Sequence, residues 1–313
     1  MISICVPTYN RLSYLKKCVD SILDKFKDYP YEVIIADGGS TDGTLEYLRN
    51  INHDNVTIIE QGSLIGEVKT LNICFKKSKG DYVYWCNDDM ALFPEIFIKA
   101  CKLMDKEKDI GIVAPKQQET RFGNLFGISW RPQYWLLISR THIFRASVLR
   151  EINYLDETFR HHSIDIQSFL DVMSLDCSTI FTRDLASIHW RARDKKWDGI
   201  REKKLEQDRK KKGHEAQYFD EKRKTLKKSC RVYMRNKNYQ KIKYRFCNGI
   251  CSKMFRENAS PFFSNLRDNH NALAAFIYDK LLEKAIVFQD KRYRHLKDFY
   301  LAQKFPDKII KQI

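Results

Sequence analysis

No apolar run in the 313 residues approaches the roughly 18 needed to span a bilayer, which excludes a transmembrane helix. The first residues lack a charged n-region and enter a strand pattern at once, so no signal peptide is expected. There is no internal repeat and no low-complexity segment. No strand pattern is followed by G-x-G-x-x-G, which argues against a dinucleotide-binding domain. Gly38 and Gly43 have the spacing of a phosphate loop, but Thr44 stands where that loop needs Lys. Without the cation nothing reaches the terminal phosphates, so NTP hydrolysis is excluded. The nine cysteines are odd in number and scattered, and no Cys or His pair shows structural-zinc spacing. Cys5 and Cys86 fall in core strand patterns, so reduced thiols in a cytoplasmic protein fit best.

What is present is an alternation of strand and helix. Residues 2–6, 33–36, 56–59 and 82–86 are β-branched or aromatic runs that read as buried strands. Helical spacing follows the first of them through Leu12, Leu15, Val19, Ile22 and Leu23, and a helix candidate covers 68–77. A further helix carries Leu45 and Leu48, with Ser40 or Thr41 as its expected cap. Four such alternations in ninety residues predict an α/β fold with a parallel, doubly wound sheet. The fourth strand runs into Asn87-Asp88-Asp89. Adjacent carboxylates at the mouth of such a sheet repel each other and are costly to bury. A divalent cation held by oxygen ligands resolves the conflict and can neutralise a pyrophosphate.

Three segments together resemble glycosyltransferase family 2, the inverting, nucleotide-sugar-dependent enzymes of GT-A fold. They are residues 6–11 (Val-Pro-Thr-Tyr-Asn-Arg), residues 36–44 (Ala-Asp-Gly-Gly-Ser-Thr-Asp-Gly-Thr), and Gly80-Asp81-Tyr82 leading to Asn87-Asp88-Asp89. The resemblance covers about residues 1–200. It implies a Rossmann-like, mixed but mainly parallel sheet flanked by helices. It also implies that Pro7, Thr8, Tyr9 and Arg11 line the nucleotide pocket, Tyr9 stacking on the base and Arg11 reaching toward phosphate. Asp37 would accept a hydrogen bond from the base, Asp88 would contact the ribose or sugar, and Asp89 would ligate Mn2+ or Mg2+. His189, after the strand pattern 185–188, would approach the metal or the diphosphate; the alternative is a core or surface histidine.

The family's catalytic base follows an Asp-Glu-x-Phe segment, which Asp156, Glu157 and Phe159 match. Counting onward, Asp165 falls on the base; capping its helix is the alternative role. Ile164 occupies the usual Glu position and Gln167 a frequent acidic one, so Asp165 has less like-charge repulsion around it. His161 and His162 could line an acceptor site. Trp130 and Trp135 could face a sugar ring, although core packing is the commoner role for such residues.

The charge is divided along the chain. Residues 1–200 hold 26 basic and 27 acidic side chains, whereas 201–313 hold 30 and 13, so the second segment carries the whole excess of the net +16. Within 222–255 Lys and Arg alternate with Tyr233, Tyr239, Tyr244 and Phe246. That interleaving suits an anionic membrane surface, and less well nucleic acid. Leu273, Ile277, Leu281 and Ala285 follow at i+4 spacing, which predicts a helix over 272–289.

These readings divide the chain into a GT-A domain over 1–200 and a basic, mostly helical region over 201–313. The expected reaction moves a sugar from a nucleotide-diphosphate sugar to a hydroxyl of a glycan or lipid-linked acceptor, in surface polysaccharide or glycoconjugate synthesis. UDP is the expected nucleotide, with dTDP and GDP as alternatives. The protein would be cytoplasmic, with peripheral attachment to the inner face of a membrane. One rival is a sugar-nucleotide-forming nucleotidyltransferase, which needs a basic Gly-rich loop that residues 6–11 do not supply. Another is a non-catalytic nucleic-acid-binding protein, which leaves the carboxylates unexplained.

Overall fold

Ile2, Ile4 and Val6 alternate with Ser3 and Cys5 along β1 (Ile2–Thr8), and all five are fully buried. A strand buried on both faces needs helices on both sides. In the computed structural model α1 (Leu12–Leu23) and α4 (Pro94–Lys106) cover one face, packing on Ile2, Ile4 and Val6. On the other face α3 (Glu67–Lys77), α5 (Ala146–Glu151) and α6 (Ile164–Ser174) pack around Cys5. The same alternation splits β2 (Tyr31–Asp37): Val33 and Ile35 face the first layer, Ile34 and Ala36 the second. The structure describes residues 1–26, 29–119, 125–126, 128–131, 136–159, 164–175, 177–190 and 299–303.

β1 pairs in parallel with β2 on one side and with β4 (Tyr82–Trp85) on the other, and β2 pairs in parallel with β3 (Val56–Glu60). The chain therefore steps outward from β1 to β3, and α3 then carries it back to β4. The strand order reverses at β1, and the crevice beyond the C-terminal strand ends at such a reversal is where open α/β sheets bind ligands.

The remaining strands are β5 (Met90–Leu92), β6 (Ile110–Glu119), β7 (Leu125–Phe126), β8 (Ile128–Arg131), β9 (Leu136–Ser139), β10 (Ile143–Arg145), β11 (Ser178–His189) and β12 (Phe299–Gln303). The main sheet runs β12-β11-β6-β10-β4-β1-β2-β3, with β5 also on β11 and β7 also on β6. β10 is antiparallel to both its neighbours, and β11 is parallel to β6 but antiparallel to β5 and β12. The sheet is thus mixed and mainly parallel, as expected. β8 and β9 form a separate ribbon.

Of the basic region 201–313 only β12 is described, and it is a strand on β11. The helix expected over 272–289 and the basic segment 222–255 lie outside the described residues. Among the described residues no helix is long and apolar enough to cross a membrane. The six described cysteines are free thiols.

One local expectation is corrected. Neither Ser40 nor Thr41 caps α2 (Thr44–Arg49); Gly43 holds the N-cap position with φ +91°. For Ser40 the reason is a competing use of its hydroxyl, within a set of bonds that joins the two loops. Asn10 N–H donates to Ser40 Oγ (2.8 Å), Thr41 N–H to Asn10 Oδ1 (2.7 Å) and Leu12 N–H to Asp42 Oδ2 (3.1 Å). The loop after β2 is thereby tied to the loop after β1.

Candidate active site

β1, β2 and β4 deliver Thr8, Asp37 and the Asn87-Asp88-Asp89 segment to one rim of the sheet. Asp88 and Asp89 are 7% and 3% exposed. Thr8 Oγ1 donates to Asp88 Oδ2 at 2.9 Å. Arg11, at the N-cap of α1, places Nη1 3.2 Å from Asp88 Oδ1 and 2.9 Å from Asp89 Oδ2. His189 ends β11, opposite Met90 of β5, and its Nε2 lies 3.0 Å from Asp89 Oδ1. Trp190 N–H donates to the Asp89 carbonyl (2.9 Å), and its ring lies near Tyr14 of α1. Five residues singled out from sequence therefore touch one another here: Thr8, Arg11, Asp88, Asp89 and His189. Beneath them the buried Cys86 thiol is pushed well up by desolvation, so it stays protonated.

The second element of the site lies between β1 and β2. Asp37 is fully buried, and its Oδ2 accepts the N–H groups of Gly39 and Ser40, both at 2.9 Å. Its Oδ1 is buried with no partner among the described residues. A buried carboxylate oxygen left open costs free energy until a donor arrives, so it marks where a ligand N–H would bind. Pro7 pairs with Ala36, and a Cβ on Gly38 would lie 3.5 Å from the Tyr9 ring. Both residues thus line this rim. Gln61 follows β3, donates its N–H to the Asp37 carbonyl, and holds a buried Nε2 without a partner among the described residues. Sequence reasoning missed Gln61. Its position one residue past a strand end was the available signal.

Asp165 sits on the first turn of α6, half-buried, with Oδ1 accepting Ile166 N–H at 3.0 Å. Ser168 Oγ donates to the Asp165 carbonyl (3.0 Å) and lies 3.1 Å from His142 Nε2. Burial pushes the His142 pKa down to about 3, so the ring is neutral. That ring meets Trp85, the last residue of β4, edge-on at 5.6 Å. Asp165 is thus anchored to the strand that leads into Asp88 and Asp89. His142 and Ser168 had no signal in sequence, because the contact joins two elements remote along the chain. Ile164 is 1% exposed in the core, which accounts for an apolar residue in place of Glu. Gln167 is buried and bonded to Asp171. His161, His162 and Trp135 lie outside the described residues, and Trp130 lies on β8 opposite Leu137.

The carboxylates of Asp88 and Asp89 with the His189 imidazole form a hard O/N donor set of the kind that suits Mn2+ or Mg2+. Among the described residues no group of three or more His, Cys, Asp or Glu side chains forms a cage around one point. An ion held here would therefore have to draw most of its ligands from water and a diphosphate, the usual habit of Mg2+ at phosphate sites.

Comparison with known proteins identifies the family. The chain is 31% identical over 122 residues to the abequosyltransferase of Salmonella typhimurium (strain LT2), covering 37% of this chain and 36% of that protein. It is 29% identical over 153 residues to the chondroitin synthase of Escherichia coli, covering 47% and 21%. The chain thus spans about a third or less of the length of these relatives. A solved mannosyltransferase of Pyrobaculum calidifontis, in complex with GDP-Man and Mn2+, shares the fold: TM-score 0.50, 18% identity, covering 62% of this chain and 58% of the other. The model of glycosyl transferase family 2 matches residues 3–163, just over half of the sequence, and the chain belongs to that family.

Proposed function

We propose that this chain is an inverting glycosyltransferase that uses a nucleotide-diphosphate sugar, with UDP the expected nucleotide, and a hydroxyl acceptor on a glycan or lipid-linked chain. The observation that carries the reading is the shared rim. The open buried oxygen of Asp37 suits a base N–H, and Arg11, together with a divalent ion on the buried carboxylates beside it, suits a diphosphate. Tyr9 stacks on the base and Asp88 orients the ribose or sugar. Asp165 takes the proton from the acceptor hydroxyl. The acceptor oxygen then attacks the anomeric carbon from the face opposite the diphosphate, and the bond from that carbon to the diphosphate breaks. Asp89 and His189 would hold Mn2+ or Mg2+, which when bound supplies positive charge to the departing diphosphate. The Mn2+ complex of the fold neighbour supports the involvement of a divalent ion. The match to a chondroitin synthase supports a polysaccharide product. The excess of basic residues over 201–313 supports attachment to an anionic membrane surface.

The test is a thermal-shift screen of UDP-, dTDP- and GDP-sugars, with and without Mn2+, on the wild type and on Asp89→Ala. A ligand that binds only the native state raises the melting temperature. Stabilisation by one nucleotide class that requires both Mn2+ and Asp89 is the expected result. No stabilisation of folded wild type by any of them would overturn the reading.

A further inference from the structure

Two buried carboxylates side by side repel, and a low local dielectric deepens the repulsion. One nitrogen answers both here: Arg11 Nη1 bonds Asp88 Oδ1 and Asp89 Oδ2 together. Asp89 is also the carboxylate that a divalent ion would need. The Arg11 side chain is 19% exposed and rises from the N-cap of α1, so it borders the crevice rather than the core.

We propose that Arg11 is a placeholder for the divalent cation: it offsets the repulsion between Asp88 and Asp89 before the ligands arrive, and it passes to the diphosphate when ion and nucleotide enter together. This rests on the reading of Asp89 as a ligand of the ion. The charges set the consequence. Counted as three groups by themselves, Arg11 and the two carboxylates sum to −1. A divalent ion added alone makes the group +1 and crowds two cations onto the same oxygens. A diphosphate supplies the anion that lets Arg11 leave. Ion alone therefore binds weakly, and nucleotide strengthens it; by linkage the ion strengthens nucleotide binding by the same factor. Loss of the guanidinium should tighten binding of the ion by itself, opposite in sign to the effect of losing a supporting residue.

The experiment follows the electron paramagnetic resonance signal of free Mn2+ during titration of the full chain, alone and with UDP or GDP. The variants are Arg11→Gln and Asp89→Ala. In the wild type one of the nucleotides is expected to raise Mn2+ affinity by roughly 5–150-fold, the usual span of coupling between sites. Arg11→Gln is expected to bind Mn2+ alone about tenfold more tightly than wild type, the effect of removing one nearby like charge. Its coupling to nucleotide is expected to fall toward unity, and Asp89→Ala to lose Mn2+ binding. Equal or weaker binding of Mn2+ alone by folded Arg11→Gln, with wild type binding normally, would overturn the placeholder and leave the metal site standing. Wild type that binds no Mn2+ even with nucleotide would overturn the metal site itself, and the placeholder with it. If circular dichroism shows Arg11→Gln unfolded, the pair Asp88→Asn and Asp88→Asn/Arg11→Gln replaces it. The double variant must then bind Mn2+ more tightly than the single one.

Discussion

Asp37→Asn exchanges one oxygen of a fully buried carboxylate for an NH2 group, and the structure fixes which one. Two backbone N–H groups, from Gly39 and Ser40, already point at Oδ2 from 2.9 Å. The amide must therefore present its oxygen to them and its NH2 to the place of the open Oδ1. Stability changes little: two charge-assisted bonds become neutral ones, costing about 1 kcal/mol each, and relief from burying a charge offsets part of that. Binding changes more. A uracil N3–H, or a guanine N1–H, now meets a donor. The lost acceptor and the buried unpaired donor together cost about 1–3 kcal/mol, or roughly 5–150-fold in Kd. Cytosine presents an acceptor at N3, so CDP should gain relative to UDP. Calorimetric titration of UDP, GDP and CDP in the presence of Mn2+ reads all three. Folded Asp37→Asn that binds UDP and GDP as the wild type does, with no gain for CDP, would refute the assignment of Asp37 to the base.

Further outcomes follow from other parts of the structure. Asp165→Asn is expected to lower kcat by about 10²–10⁴ while leaving nucleotide affinity within about twofold; a matching loss of nucleotide binding would remove Asp165 from the role of base. Gly39 has φ +83° and a Cβ there would lie 2.7 Å from the Gly62 carbonyl oxygen, whereas at Gly62, with φ +69°, a Cβ would meet nothing within 4 Å. In urea melts Gly62→Ala should cost about 1 kcal/mol and Gly39→Ala about 2 kcal/mol more, and equal costs would contradict the close approach of the two loops. His142 is held near 3 in the fold against an ordinary 6.5, so between those values the unfolded chain binds more protons. Its contribution is complete above pH 6.5 and is lost as pH falls toward 3. His142→Gln should therefore flatten the stability profile between pH 6 and 4.5 by about 1.4 kcal/mol per pH unit, and an unchanged slope counts against a buried neutral ring. The basic region predicts binding to vesicles containing anionic lipid that weakens steeply with added salt, and co-sedimentation indifferent to lipid charge would argue against it.

The parallel half of the sheet was legible because each of its strands is a continuous apolar run closed by turn residues. Residues 2–6, 33–36 and 56–59 fall inside β1, β2 and β3 for that reason, and 82–86 covers β4 and runs one residue past it. The antiparallel β10, only Ile143–Arg145, was not legible: three residues carry no periodicity, and their place between β4 and β6 is set by tertiary pairing. In the site, contacts between motifs close in sequence order were readable as a cluster, but their partners were not. Arg11 was assigned to phosphate from its chemistry. Sequence spacing holds nothing that reveals its bonds to Asp88 and Asp89, some 77 and 78 residues away. The α2 cap misled because Ser40 has capping chemistry, yet its hydroxyl accepts the Asn10 N–H, and the Thr41 backbone N–H is drawn to Asn10 Oδ1.

β11 gives the molecule a seam that sequence similarity does not show. The family match stops at residue 163, yet β11 pairs with both β5 and β6 and brings His189 onto Asp89, a hundred positions earlier in the chain. A fragment ending at 163 would leave open the edges of β5 and β6 that β11 pairs, a template for edge-to-edge aggregation. In the whole chain, such long-range closure is slow compared with local helix and hairpin formation. The early βα units should therefore form before the rim is complete. Recovery of nucleotide binding during refolding would then report the docking of β11, the step that turns a collapsed sheet into a finished site.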